Sequence, residues 1–208
     1  MRVVSVNVGR PQTYSWCGEE ITTSIFKTPV EGRVAVRELG VDGDEQANKR
    51  VHGGPYKAVY AYALEELRRL GKMTGHDLAP AGVGENLTLE GVAVRSAEVG
   101  ERWRVGTACV QVTMPRSPCT KIELRTGDPS FRRKFADARL FGAYLRVIEE
   151  GEVAAGDPVE ILHRPGHGLT VTKVFEIATG PRERAAELLV AGDALPPHLR
   201  ELAERRST

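Results

Sequence analysis

The sequence predicts a mainly β fold: a β-barrel or closed antiparallel sheet with a few inserted helices, and a three-helix module at the C-terminus. Three observations lead there. Up to about residue 163, runs with strand alternation outnumber runs with helical spacing. Most connections between them are short and rich in glycine, which suits antiparallel neighbours. At Arg164-Pro-Gly-His-Gly168 the pattern changes, and three segments that favour helix follow. The division expected is a β-barrel domain over residues 1–163 and a helical module over 164–208.

Taken in order, residues 2–7 alternate and read as a strand. Residues 9–18 hold Gly9, Pro11 and Gly18 and read as a turn-rich connector, in which Cys17 has no activating neighbour. Residues 20–27 and 30–37 are strands parted by Pro29, and Val30, Val34 and Val36 alternate with charged residues in the second. Residues 38–47 form a loop of glycines and acids. Asp42 and Asp44 lack the distal bidentate glutamate of a calcium loop and read as turn residues. Leu64, Leu67 and Leu70 make the apolar stripe of a helix over 62–72, closed by Gly71 and Gly75. Short strands follow at 83–91, 99–105 and 107–113, the last two joined at Gly106. A helix is expected from Asp128 or Ser130 to about Ala138, a strand over 141–149, a turn over 151–157 and a last strand over 158–163. In the tail, 170–179 fits strand or helix, with helix favoured. Residues 181–191 and 197–206 read as helices, with Ala185, Leu188 and Leu189 as a stripe and Gly192 as a stop. A module so small buries little by itself, so it should dock on the barrel or on a second subunit of a homodimer.

Composition excludes several classes. The 208 residues carry 29 basic and 28 acidic side chains, a net charge of +1, which provides no electrostatic footprint for nucleic acid or an anionic membrane. No apolar run is long enough to span a bilayer, and the N-terminus reads as a strand rather than a signal peptide. Cys17, Cys109 and Cys119 form neither a disulfide framework nor a zinc spacing. A reduced, cytoplasmic setting is expected.

One stretch stands out as chemistry. After the strand over 107–113 comes Met114-Pro-Arg-Ser-Pro-Cys-Thr-Lys121. The prolines stop the ladder, Ser117 can cap a helix with Pro118 at its first position, and Cys119 would lie in the first turn. Free N–H groups there, with Arg116 and Lys121, would lower the thiol's pKa. The competing reading is a small buried apolar residue, as lone cysteines usually are. A second unusual stretch is His52-Gly-Gly-Pro-Tyr-Lys57, ahead of an apolar strand. Gly53 and Gly54 would let backbone approach a ligand, and His52 and Lys57 would supply donors or charge. A tight turn with a surface lysine explains it equally well.

Together these motifs resemble the MOSC-domain family (molybdenum-cofactor sulfurase C-terminal), in its YiiM-like branch. The resemblance rests on Gly40-Val-Asp-Gly-Asp-Glu-Gln-Ala47, His52-Gly-Gly-Pro-Tyr-Lys-Ala-Val-Tyr60, Gly84-Glu-Asn-Leu-Thr88, Pro115-Arg-Ser-Pro-Cys119, and Tyr144-Leu-Arg-Val147 followed by Gly156-Asp157. The resemblance implies a MOSC β-barrel and the molybdenum cofactor as ligand, with Cys119 ligating molybdenum. Relatives of known chemistry reduce hydroxylaminopurines, hydroxylamines and amidoximes. Two positions depart from the pattern, Thr120 where an aromatic often stands and Val83 where Phe is common, and both bear on pocket shape.

Within that resemblance, Arg116, Lys121 and Lys57 would balance the cofactor's phosphate, Gly53 and Gly54 would allow close contact, and Asn86 would bond the pterin edge. His52 is the candidate proton donor, since its ordinary pKa lies near neutrality. Without a flavin, haem or iron–sulfur motif, two electrons must come from an external reductase. A pyridoxal-phosphate desulfurase domain would need several hundred further residues, so pyridoxal phosphate is not expected. Two other classes compete: a hydrolase or transferase with Cys119 as nucleophile and His52 as base, and a non-catalytic cofactor or sulfur carrier.

Overall fold

The computed structural model describes residues 1–48 and 53–207. Its centre is an eight-stranded mixed sheet. In chain order the strands are β1 (Arg2–Val8), β2 (Gln12–Trp16), β3 (Glu19–Thr23), β4 (Thr28–Pro29), β5 (Val34–Arg37), β6 (Gly40–Val41) and β7 (Val59–Ala63). They continue as β8 (Leu87–Glu90), β9 (Arg102–Val105), β10 (Ala108–Pro115), β11 (Ala143–Glu149), β12 (Gly151–Val153) and β13 (Val159–His163). The large sheet runs β13-β9-β10-β11-β7-β8-β1-β4, with β12-β5-β6 as a second sheet and β2-β3 as a hairpin. All pairs in the large sheet are antiparallel except β7 with β8.

That parallel pair follows from the chain between the strands. Helix α1 (Leu64–Thr74) crosses back over the sheet before β8 begins, as a parallel connection requires. Leu67 and Leu70 of its stripe are fully buried, and Gly75 ends it in the left-handed conformation, φ 76°.

The mainly β expectation is corrected. Helical and 3-10 segments hold about as many residues as the strands. The reason is visible in β7, where every residue is buried. Val59, Ala61 and Ala63 face one core together with Trp103, Val110 and Leu145. Tyr60 and Tyr62 face a second core, with Leu67, Phe131, Phe141 and Val174. A sheet apolar on both faces needs a covering layer, and helices supply it. Nor does one ladder close the sheet into a barrel. Among the described residues its two ends meet where the start of β1 reaches the chain entering β13, by an isolated Arg2–Pro158 bridge and bonds that include Val3 N to Asp157 O (2.9 Å), Gly156 N to Val3 O (2.8 Å) and Val159 N to Met1 O (3.1 Å).

Other differences are local. Residues 9–18, read as a connector, contain β2, which pairs with β3 around a turn at Cys17 (φ 52°) and Gly18 (φ 84°). Residues 151–157, read as a turn, begin with β12, which pairs with β5. Helices α2 (Thr120–Thr126) and α3 (Phe131–Ala138) follow β10. In the tail, α4 (Val171–Thr179) is capped by Thr170 Oγ1 accepting from Lys173 N at 3.3 Å, and α5 (Pro197–Ser207) closes the chain. Between them, the expected helix over 181–191 is a succession of 3-10 turns, Arg182–Ala194, broken at Gly192 (φ 52°, ψ −132°). The tail packs on its own chain: Leu188, Leu195 and Leu199 share the second core with Phe141 and Met114. Among the described residues, no helix is long and apolar enough to cross a membrane.

Candidate active site

The strand β10 is buried along its length and delivers the chain to Arg116. Its end differs from expectation. Helix α2 starts at Thr120, one residue later than the cap-and-proline reading predicts, and Cys119 itself is the N-cap, with extended backbone (φ −138°, ψ 164°). Pro118 therefore precedes the helix instead of opening it.

Cys119 is partly buried, and burial alone would push its thiol up. Arg116 opposes this most strongly. Its Nη2 lies 3.9 Å from the sulfur, and with the backbone N–H and ammonium of Lys121 it holds the thiol below its ordinary range. Arg116 is itself 7% exposed. It is held by Nη1 donating to the Val83 carbonyl and by the Tyr60 ring, 5.0 Å from its Cζ to the ring centroid. Burial opposes its charge, but the facing tyrosines and the thiolate keep it protonated. Gly84, following Val83, is required by its backbone (φ 79°), and a Cβ there would lie 2.7 Å from Ile25 Cγ1.

These groups open on a cleft with an empty volume of about 640 Å³, counting the space open to solvent. Cys119, Arg116, Lys121, Lys57 and Asn86 all line it, so five predicted site residues are brought together. Lys57 is half-buried, and burial pulls its ammonium down. Its Nζ lies 6.0 Å from the Tyr144 ring centroid. Gly53 and Gly54 are not among the described residues lining the cleft; Gly54 (φ 94°) caps the 3-10 turn Pro55–Lys57 that places Lys57. His52 lies outside the described residues. No histidine appears among the described residues of the lining, so those residues assemble no Cys–His dyad.

Asn86 has a role other than the one expected. Its side-chain Oδ1 accepts from Tyr60 N (3.1 Å), and its Nδ2 donates to Asn7 O (3.2 Å) and Asp44 Oδ2 (2.9 Å). Those bonds engage the amide within the protein. Asp44, read as a turn residue, is buried here: it accepts from Gly9 N at 2.8 Å and pairs with Lys27. Lys27 is 8% exposed and lines the cleft; burial pulls its ammonium down while Asp44 opposes. Sequence reasoning missed Lys27, Asp44, Tyr60 and Tyr144. The signal for Lys27 was a lone cation inside the otherwise uncharged run Thr22–Val30. Replacing Asn86 with alanine should strand the Tyr60 N–H and an Asp44 oxygen. We expect a loss of about 2–4 kcal/mol in urea unfolding, with Cys119 alkylation changed less than about threefold. An unchanged unfolding midpoint would contradict this positioning role.

The MOSC domain model matches residues 48–160. The uncharacterized protein YflK of Bacillus subtilis is 37% identical over 169 residues, covering 81% of this chain and 76% of that protein. A protein of Gibberella moniliformis named reductase is 31% identical, covering 86% of this chain but 32% of its own length. The crystal structure of YiiM from Geobacillus stearothermophilus superposes with a TM-score of 0.81 at 30% identity, covering 100% of this chain and 99% of that one. With that family's pattern matched over more than half of its length, Cys119 included, and its fold matched end to end, the chain belongs to the MOSC-domain family, among the YiiM-like proteins.

Proposed function

We propose that the cleft holds the molybdenum cofactor through Cys119, and that the chain reduces N-hydroxylated compounds (hydroxylaminopurines, hydroxylamines and amidoximes) with electrons from a separate reductase. The observation that carries this reading is the Arg116–Cys119 pair, a soft sulfur ligand whose ionisation a buried guanidinium favours, in a cation-lined cleft. The donor set fits the group. Among the described residues no three His, Cys, Asp or Glu side chains converge on a metal position. A lone thiolate suits a metal that brings its other ligands with it, as a dithiolene does. A phosphate calls for cations, and Lys27, Lys57 and Lys121 line the same space. The fungal relative named reductase lends support to a redox role.

When bound, the cofactor would supply a metal that exchanges two electrons with the substrate. The chain's own residues do the rest. Arg116 favours the deprotonated sulfur. Ile25, Tyr60 and Tyr144 wall the site with apolar surface and limit water. Lys57, with its ammonium lowered by burial, can hold a proton at the mouth and release it more readily than a surface lysine. The test is turnover of benzamidoxime to benzamidine by cofactor-loaded protein with reduced methyl viologen as donor. Wild type should produce the amidine. Cys119→Ala, folded by circular dichroism, should fall by more than about a hundredfold. Full activity in that variant would refute the ligand role.

A further inference from the structure

Three tyrosines on β7 and β11 differ in what their hydroxyls do. Tyr60 donates to Phe141 O at 2.8 Å, and Tyr62 donates to the Leu140 carbonyl. Both are structural ties from the sheet to the segment before β11. Tyr144 is held differently. Its ring packs against Tyr60 with centroids 5.3 Å apart, and the residue is 9% exposed. Its hydroxyl has no hydrogen-bond partner among the described residues, yet it is not among their sealed, unsatisfied atoms. Since the residue lines the cleft, this is a fixed ring with an available O–H donor on the wall that Cys119 shares.

The charge around it decides what it suits. Burial raises the phenol's pKa most, the Cys119 thiolate raises it further, and Arg116 opposes both. The group stays a neutral donor through the physiological range. The cations of the cleft suit an anionic phosphate; a neutral O–H suits the uncharged oxygen of an N–OH group.

We infer that the Tyr144 hydroxyl binds the nitrogen-bound oxygen of the substrate and gives it a proton as the N–O bond breaks, an assignment that rests on the reductase reading above. The overall change is R–NH–OH with two electrons and two protons going to R–NH2 and water. The N–O bond breaks, the nitrogen is reduced, and the external reductase is oxidised by two electrons. One proton passes from Tyr144 Oη to the departing oxygen and is restored from solvent past Lys57, whose Nζ lies 6.0 Å from the Tyr144 ring centroid. The second reaches nitrogen from solvent.

Tyr144→Phe keeps the ring and removes one oxygen, so it isolates this role. The full chain, purified with its cofactor, provides three readings. Molybdenum per chain should match wild type. Benzamidoxime binding to the oxidised protein, followed by calorimetry without an electron donor, should weaken about tenfold. Its kcat with reduced methyl viologen should drop about a hundredfold, the size of a lost general acid. Binding and turnover both within threefold of wild type would overturn the inference. Loss of molybdenum from the variant would also overturn it, by placing the hydroxyl on the cofactor. If molybdenum-loaded wild type reduces no N-hydroxylated compound, the reductase reading fails first and this assignment with it.

Discussion

Arg116→Met should slow the alkylation of Cys119 by iodoacetamide at neutral pH by about tenfold, because burial is then opposed only by the N–H and ammonium of Lys121. In the native protein the guanidinium, 3.9 Å from the sulfur, together with the N–H and ammonium of Lys121, outweighs that burial. The rate should be read as a pH profile, since the thiolate is the reacting form. The inflection of the variant should move to higher pH, with the plateau above it little changed. A shift to lower pH, or none, would mean that Arg116 does not set the thiol. The same substitution leaves the Val83 carbonyl without its donor, at a cost of about 1–3 kcal/mol in stability. Arg116→Lys separates the two effects. It restores a positive charge but not the paired geometry, so thiol reactivity should recover in part while the tie to Val83 weakens.

The second large effect lies away from the cleft. Glu66 on α1 is 8% exposed, and burial pushes its carboxyl up to about 7. Its Oε1 accepts from Arg95 N at 2.9 Å, while Oε2 is sealed without a partner. Its pKa is raised on folding, so its contribution to stability is full below the unfolded value of 4.5 and is lost as pH rises through about 7. Keeping the carboxylate buried above that pH costs about 3 kcal/mol. Glu66→Gln retains the acceptor for Arg95 and removes the charge. The variant should match wild type near pH 4 and exceed it by about 3 kcal/mol at pH 8.5 in urea unfolding. Equal stability at both pH values would show that the native carboxyl titrates normally. Thr172 Oγ1 donates to the Arg95 carbonyl at 2.9 Å, so the same joint ties α4 to the 3-10 turn Val94–Ser96 and through it to α1, and tail docking should follow the same pH course.

What could be read from the sequence divides by the range of the forces involved. The stripe of α1 and its stop at Gly75 are local patterns that the structure reproduces, although Gly71, also expected to end the helix, lies inside it; on β10, Ala108, Val110 and Val112 share one core as their alternation suggests. Arg116 and Lys121 were legible as neighbours of Cys119 because they lie within three residues of it. The cause of its acidity was only half legible. The helix starts later than expected, and a buried guanidinium carries most of the effect. Long-range pairings left no local trace. Lys27 and Asp44 meet only after β1, β4 and the loop before His52 fold together, and Asn86 joins them from beyond α1. The β2–β3 hairpin was hidden because its turn uses Cys17 at positive φ, where Gly or Asn would have signalled it. The weight given to the sheet has a different origin: the helices themselves were anticipated, but Val-Tyr-Ala-Tyr-Ala on β7 reads as a strand either way, and nothing in it says that both faces need cover.

The most direct test of the central claim is metal and pterin content. Wild type and Cys119→Ser would be purified from a host that makes the molybdenum cofactor. Molybdenum would be measured by mass spectrometry and pterin by fluorescence after oxidation. The account predicts near-stoichiometric molybdenum with matching pterin in wild type, and little molybdenum in a folded variant. Wild type without molybdenum or pterin, from a host shown to load another MOSC protein, would contradict it.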